Sequence, residues 1–496
     1  KIALLPVGSS AISAGSSAVG PGETRGSGGS PPDNGGECVP SFEDIGYHKT
    51  LWPQPTSAQG LPTVVGTSTT WDHPGSGNYK VKVTKLADAA ASMSMGATKP
   101  FHHRPEYARH DAFSADGTYA ISHGITTRAL YNAKTYANIR AVSNSGAVLG
   151  DWQWHPQVDK YAFYFDRDHG RVYRYDASDN THTQLFDFET NPLMINNRSF
   201  TILGSWYNTS SGYVRGYTMA GEGSISADGS RVAVKMNTGL GGDGAVVVLN
   251  LDTQTVGETM FFAGKDKQSE LDYTAISSSG DYVLVLGDFN DVYGTSYGPK
   301  QNYAFHVDDF ESDQGSLVGA EDPHTDIGLN SAGEEVVVLV GNDAIVNGMK
   351  VYNLETGVSK ELFNRELWSG YLPVIHVSMP IDGSGVALIS TQRGGHPAER
   401  EQVQDGALIA IDVDTGQMAW LGWDEADNEG NSGPALTGPS GSAPGYLGES
   451  HATLAMDVER EDGTRTWKWA WASDNRNAGS TADYYIAELV CPADGQ

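Results

Sequence analysis

The sequence predicts an all-β chain: a seven-bladed β-propeller of four-stranded antiparallel blades, its ring closed by strands from both termini. Three observations predict it. The composition favours short strands and tight turns, a turn-plus-strand unit recurs seven times, and each unit has room for one blade.

The chain has 496 residues, with 60 Gly, 23 Tyr, 14 Phe and 11 Trp. Charged residues make up 19%, below the roughly 25% of average soluble proteins. That mix argues against a helical bundle or coiled coil. No apolar run reaches the roughly 18 residues that a membrane-spanning helix needs, so no membrane partner is expected. Asp plus Glu number 61 against 32 Lys plus Arg, a net charge of −29. A field of that sign repels nucleic acid and anionic lipid. A locally basic site can still take an anionic substrate.

Residues 1–36 are Gly/Ser/Pro-rich and bury too little to fold alone, which leaves 37–496 as a single propeller. No basic segment followed by an apolar one begins at Lys1, so a secreted protein whose signal peptide is already removed is expected. Two cysteines, Cys38 and Cys491, lie near the two ends. They exclude a CxxC redox pair and fit one disulfide joining the termini in an oxidising compartment.

The recurring unit is a small or polar residue, a two-residue step, Gly or Asp, then a β-rich run. It reads FSADGTYAIS at 113–122, HPQVDKYAFYF at 155–165, SISADGSRVAVKM at 224–236 and AISSSGDYVLVLG at 275–287. It continues as LNSAGEEVVVLVG at 329–341, MPIDGSGVALIS at 379–390 and HATLAMDVEREDGTRTWKWAWA at 451–472. Ser-x-Asp-Gly supplies a tight reversal, and alternating apolar residues then mark a half-buried strand. Second hairpin turns (DTQT, ETGV, DTGQ) recur further on, giving four strands per unit of about 50 residues. The last unit offers three strands, and NYKVKVTKL at 78–86 supplies the fourth. Both chain ends then meet in the closing blade.

Loops leading into the inner strands, and those joining second to third strands, share one face of a propeller. Here they are long and rich in polar and aromatic residues, whereas the opposite face has short turns. Histidines gather on the long-loop side: His102, His103, His110, His123, His155, His169, His324, His376, His396 and His451. His123 and Lys235 end second strands where the other blades have apolar residues, which marks both as candidate site residues. Arg128 and Arg393, from second-to-third strand loops, are candidate substrate-binding cations. The ring position at the start of the inner strands is held by His110, Trp152, Glu222, Tyr273, Asp326, His376 and His451. His110, His376 and His451 fall on adjoining blades and are candidate ligands of a divalent cation.

The segment GSWYNTSSGYVRGYT brings Tyr207, Tyr213, Arg215 and Tyr217 into one loop. Arg grips a carboxylate bidentately, which makes the neighbouring C–H of a uronic acid acidic. A neutral His can take that proton, and Tyr or a second His can protonate the leaving oxygen. These are the parts of β-elimination, and no cofactor is required, although a structural divalent cation is compatible. HExxH, P-loop and EF-hand motifs are absent from the sequence.

With its blade count, acidic secreted character, FHHRPEYARHDAFSADGTYAISHG and the downstream GYVRGYT, the chain resembles the ulvan lyases of the seven-bladed propeller type from marine bacteria. His123 lies 20 residues after His103 and 21 after His102. The resemblance implies a His/Tyr site that cleaves a sulfated, uronate-containing polysaccharide at the C4 side of the uronate. One of His102 and His103 matches the first His, His123 the second, and Arg215 the carboxylate binder. Tyr207, Tyr213 and Tyr217 all stay open as the tyrosine, with Tyr207 the first choice; His103, Tyr213, Tyr217, Lys235, Arg128 and Arg393 are expected to bind substrate. A monomer acting on an anionic polysaccharide is expected. Two other readings are a non-catalytic propeller that binds a glycan or protein, and a metal-dependent lyase on oligogalacturonate.

Overall fold

The computed structural model describes Phe42, Ala147 and residues 61–73, 79–87, 110–123, 128–145, 149–166, 169–195, 197–200, 206–209, 212–215, 225–237, 244–262, 271–287, 301–309, 315–320, 324–342, 347–364, 374–380, 383–391, 407–423, 451–461, 463–473 and 483–490. The chain divides into two units, Lys1–Glu37 and Cys38–Gln496, and the described residues all belong to the second.

Seven antiparallel blades form the ring. Blade 1 holds Tyr119–His123, Arg128–Asn132 and Asn138–Val142, with its inner segment attached by a Phe113–Ala120 bridge. Blade 2 has four strands, from Leu149–Trp154 to Thr181–Asp187. Blade 3 holds Arg231–Asn237, Gly244–Asn250 and Thr255–Phe262, its inner segment attached by an Ile225–Val232 bridge. Blades 4, 5 and 6 have four strands each and begin at Leu271–Ile276, His324–Leu329 and Val374–Ser378. The closing sheet takes Ser68–Asp72 and Lys80–Ala87 from the N-terminal side and pairs them with Asp483–Val490, Arg465–Ser473 and Thr453–Glu459. The fourth strand is the one the sequence offers; Ser68–Asp72 adds a fifth, at the edge, that the repeat pattern does not show. Two hairpins lie between blades 2 and 3: Leu193–Ile195 with Arg198–Phe200, and Trp206–Thr209 with Gly212–Arg215.

The Ser-x-Asp-Gly turn has a local cause. In blade 1, Gly117 N–H donates to Ser114 O (2.8 Å), Thr118 N–H to Asp116 Oδ1 (2.7 Å) and Tyr119 N–H to Ser114 Oγ (3.0 Å). Blade 3 repeats the set through Ser226, Asp228 and Arg231. Gly117 and Gly229 hold φ of 68° and 74°, and a Cβ on Gly229 would strike the His155 ring at 2.3 Å. Glycine is needed there for the backbone and for the approach of the next blade.

Apolar side chains of neighbouring blades interlock at the joints. Val336, Val338 and Val340 of blade 5 pack with Ile389, Ile409 and Trp420 of blade 6. Val246, Val248 and Phe262 of blade 3 meet Val283, Val285 and Phe305 of blade 4. The joint between the closing blade and blade 1 is built from smaller groups, among them Ala112, Ala120, Ala129, Ala133 and Ala470, with Tyr131 and Tyr484.

That joint also holds buried charge. Lys82, Glu488 and Lys468 are direct cross-strand partners on three adjacent strands. Lys82 Nζ lies 3.1 Å from Glu488 Oε1, and Lys468 Nζ lies 3.8 Å from Oε2. Lys468 also donates to Ala133 O of blade 1 (2.7 Å), and Tyr136 OH of blade 1 donates to Glu488 Oε2 (2.7 Å). Tyr136 has φ of 63°. It sits in the outer turn where Gly357 and Gly416 sit in blades 5 and 6, so a tyrosine occupies a position that otherwise favours glycine.

Candidate active site

The repeat alignment sets one residue of each blade at the start of its inner strand. Of these, His110, Trp152, Tyr273, Asp326, His376 and His451 are all buried. The inner strands of blades 2, 4 and 6 shift register at this level, between Gly150 and Gln153, Leu271 and Tyr273, and Val374 and His376. Such bulges re-aim side chains and are common beside functional sites. Asp151 and His451 hold φ of 46° and 42°, a conformation that costs about 1–3 kcal/mol for residues other than Gly.

His376 and His451 meet across the blade 6–7 joint, ring centroids 4.4 Å apart and near parallel. His324 of blade 5 joins edge-on to His376 at 4.8 Å. The alignment does not place His324 in the ring, because Asp326 holds that level in blade 5. His324 lies two residues earlier and therefore on the same face of its strand. The imidazoles form a row rather than a convergent set. Among the described residues no group of three His, Cys, Asp or Glu side chains is placed to hold a metal ion, so the His110, His376 and His451 set lacks the geometry of a divalent-cation site. Asp326 is committed elsewhere. Its Oδ2 accepts Met379 N–H of blade 6 (2.6 Å) and its Oδ1 accepts Ile327 N–H (2.8 Å), which staples two blades together.

His123 ends the second strand of blade 1 and is half-buried. Arg128 begins the third strand directly opposite and is fully buried. Its Nη1 lies 2.7 Å from His123 Nδ1, its Nη2 donates to Leu149 O of blade 2, and its guanidinium carbon sits 5.5 Å from the Trp152 ring. The sequence marks Arg128 as a substrate-binding cation. In the structure its side chain is fully buried, in contact with His123 of its own blade and Leu149 of the next. Lys235 is likewise buried within Arg231–Asn237, opposite Val246, as its core-like position in the repeat implies.

His155 is also corrected. It belongs to the short-turn end, where it takes the place of the turn serine and its Nδ1 accepts Gln157 N–H (3.1 Å) and Val158 N–H (3.2 Å). Burial holds its imidazole below the usual histidine range, against the opposing pull of Asp252 and Asp228. His169 lies at the other end of blade 2, with Nδ1 2.8 Å from buried Asp166.

In the second hairpin between blades 2 and 3, Arg215 pairs with Trp206, Val214 with Tyr207 and Tyr213 with Asn208. With a period of two, the register positions of Tyr213 and Arg215 fall on one face of the ribbon and that of Tyr207 on the other. His102, His103, Tyr217, Glu222, Arg393, His396, Cys38 and Cys491 lie outside the described residues.

No family model matches the chain, and no curated protein does. Among solved structures, TolB from Acinetobacter baumannii is similar at 15% identity and a TM-score of 0.35, over 65% of this chain. The chain spans 63% of the length of that structure. At that likeness the seven-bladed fold rests on the blades themselves, their strand order and their repeated turns.

Proposed function

We propose that this propeller is a secreted polysaccharide lyase that cleaves a sulfated, uronate-containing chain by β-elimination. The observation that carries the reading is His123, half-buried at the strand ends joined by the long loops and backed by a fully buried guanidinium. An ionisable ring held in this way on a rigid strand end is a preorganised polar group of the kind catalysis uses. The Tyr213–Arg215 face of the hairpin supplies the residue types that grip a carboxylate and move a proton. In this scheme Arg215 neutralises the uronate carboxylate, His123 donates a hydrogen bond to the charge that develops, and the imidazole of His102 or His103 accepts the C5 proton. The C4–O bond breaks, and a tyrosine or a second imidazole returns a proton to the leaving oxygen. Among the tyrosines, the register favours Tyr213 over Tyr207 as the partner of Arg215.

A panel of uronate polysaccharides, followed by the ultraviolet absorbance of the unsaturated product, tests this. Activity on at least one member is expected, and a lack of product on all would leave a binding propeller instead. On the substrate that is cleaved, Arg215→Ala should lower turnover about 10²–10³-fold, and His123→Ala about 10²-fold or more. Near-normal rates in both variants would remove this placement of the chemistry. A chelator should leave the rate intact, since no step runs through a metal.

A further inference from the structure

We infer that Arg128 is a positioning residue that fixes His123 as the neutral Nε2–H tautomer, a hydrogen-bond donor that neither takes up nor gives up a proton during turnover. The role in turnover rests on the lyase reading above; the tautomer does not. A guanidinium has only N–H donors and stays charged at any working pH. At 2.7 Å from Arg128 Nη1, His123 Nδ1 is therefore the acceptor and bears no hydrogen. The ring's one hydrogen then sits on Nε2, across the ring from Arg128. A second proton on Nδ1 would face the guanidinium N–H, donor against donor.

Arg128 is well placed to impose this. It lies directly opposite His123 in the strand pair, so the distance is set by the sheet. Its other nitrogen is anchored on Leu149 O at the first residue of blade 2's inner strand, and its plane lies against Trp152. The guanidinium cannot swing away without losing a contact to a second blade. With its lone pair engaged from behind, His123 cannot accept the C5 proton, and a neutral imidazole does not release its last hydrogen to a leaving alkoxide. What it offers is an Nε2–H, polarised by the cation behind it, toward an anionic oxygen. The proton acceptor and donor must be found among His102, His103 and the tyrosines of the Tyr207–Tyr217 segment.

Nitrogen-15 NMR of the full chain labelled on histidine reads the tautomer without any substrate, and His123→Gln assigns the signal. The expected result is an unprotonated Nδ1 and a protonated Nε2 at neutral pH. Arg128→Lys keeps a cationic donor and should keep that tautomer; Arg128→Met should give a mixture of the two. A protonated Nδ1 in the parent, or the same spectrum in Arg128→Met, overturns the inference. Should either variant fail to fold, the parent spectrum alone decides. On a cleaved substrate, Arg128→Met should lower kcat about 10²-fold with KM little changed. The expected tautomer without any cleaved polysaccharide would sink the lyase reading and leave the tautomer standing. Cleavage with the wrong tautomer would do the reverse.

Discussion

Two cations buried in this ring meet different partners. Lys468, at the joint between the closing blade and blade 1, faces a carboxylate, a backbone carbonyl and a tyrosine ring. Arg128, at the joint between blades 1 and 2, faces an imidazole, a carbonyl and an indole. Both bridge two blades. In the first the charge is matched on its own sheet, with Lys82 and Lys468 flanking Glu488 in register, and its consequence is how firmly the ring shuts. In the second the charge is aimed at an imidazole, and its consequence is which nitrogen carries the hydrogen. Burial of a cation does not tell a joint from a site. The partner does.

The sharpest way to break the comparison is to remove the carboxylate. Glu488→Gln leaves Lys468 buried with an uncompensated charge and should destabilise the fold by about 3–5 kcal/mol. The spectrum of His123 should not move. Replacing the set together, as Lys82→Met, Glu488→Leu, Lys468→Met, Tyr136→Phe and Arg460→Met, since Arg460 Nε also lies 3.6 Å from Glu488 Oε2, should be neutral or stabilising, because it removes the desolvation cost with the charges. Denaturant midpoints of both variants check this. A mild effect of Glu488→Gln would mean that water reaches the joint and screens it.

The next effect is smaller and depends on pH. Burial, opposed by Glu488, pulls the Lys468 ammonium down to about 8 from its ordinary 10.5. The unfolded chain then holds more protons than the native one between those two values. Stability therefore rises with pH across that window, by about 1–3 kcal/mol in all, and this gain is absent below about pH 8. Denaturant titrations at pH 7.5 and 9.5 should show the rise in the parent and lose it in Lys468→Met. A parent that weakens steadily over the same range would reverse the sign and remove Lys468 as its source.

The turns that build the blades were legible because their chemistry is local: Ser114, Asp116 and Gly117 satisfy one another within a few residues. The inner ring was legible through the repeat, which placed His376 and His451 at one level before their contact was known. His324 was not, since it lies off the aligned position and joins the row only through three-dimensional neighbours. Arg128 was read as a substrate-binding cation, and its full burial between two blades was not legible, because a sequence shows residue type and not which side of a strand end the chain covers. The closing clasp was invisible, with Lys82 and Glu488 406 residues apart. Nothing local marks either as paired; only the register of the shut ring does.

The smallest effect separates the buried clasp from its rim. Lys134 of blade 1 reaches Glu459 of the closing blade at 2.6 Å, with side chains 29% and 42% exposed. This pair spans the joint at which Lys468 and Glu488 lie, and it is shorter than their 3.8 Å. If bridging two blades were what gave a charge pair its effect, Lys134→Ala would rival Glu488→Gln. Solvent screens the rim pair, however, and two long side chains lose freedom in forming it, so its loss should cost under about 1 kcal/mol. Half-molar salt should shrink even that difference, because the screening length falls to a few ångströms, while the effect of Glu488→Gln should persist. Melting curves of both variants at low and high salt make the test. A Lys134→Ala cost that matches Glu488→Gln and resists salt would show that position across the joint, rather than burial, sets the strength of these pairs.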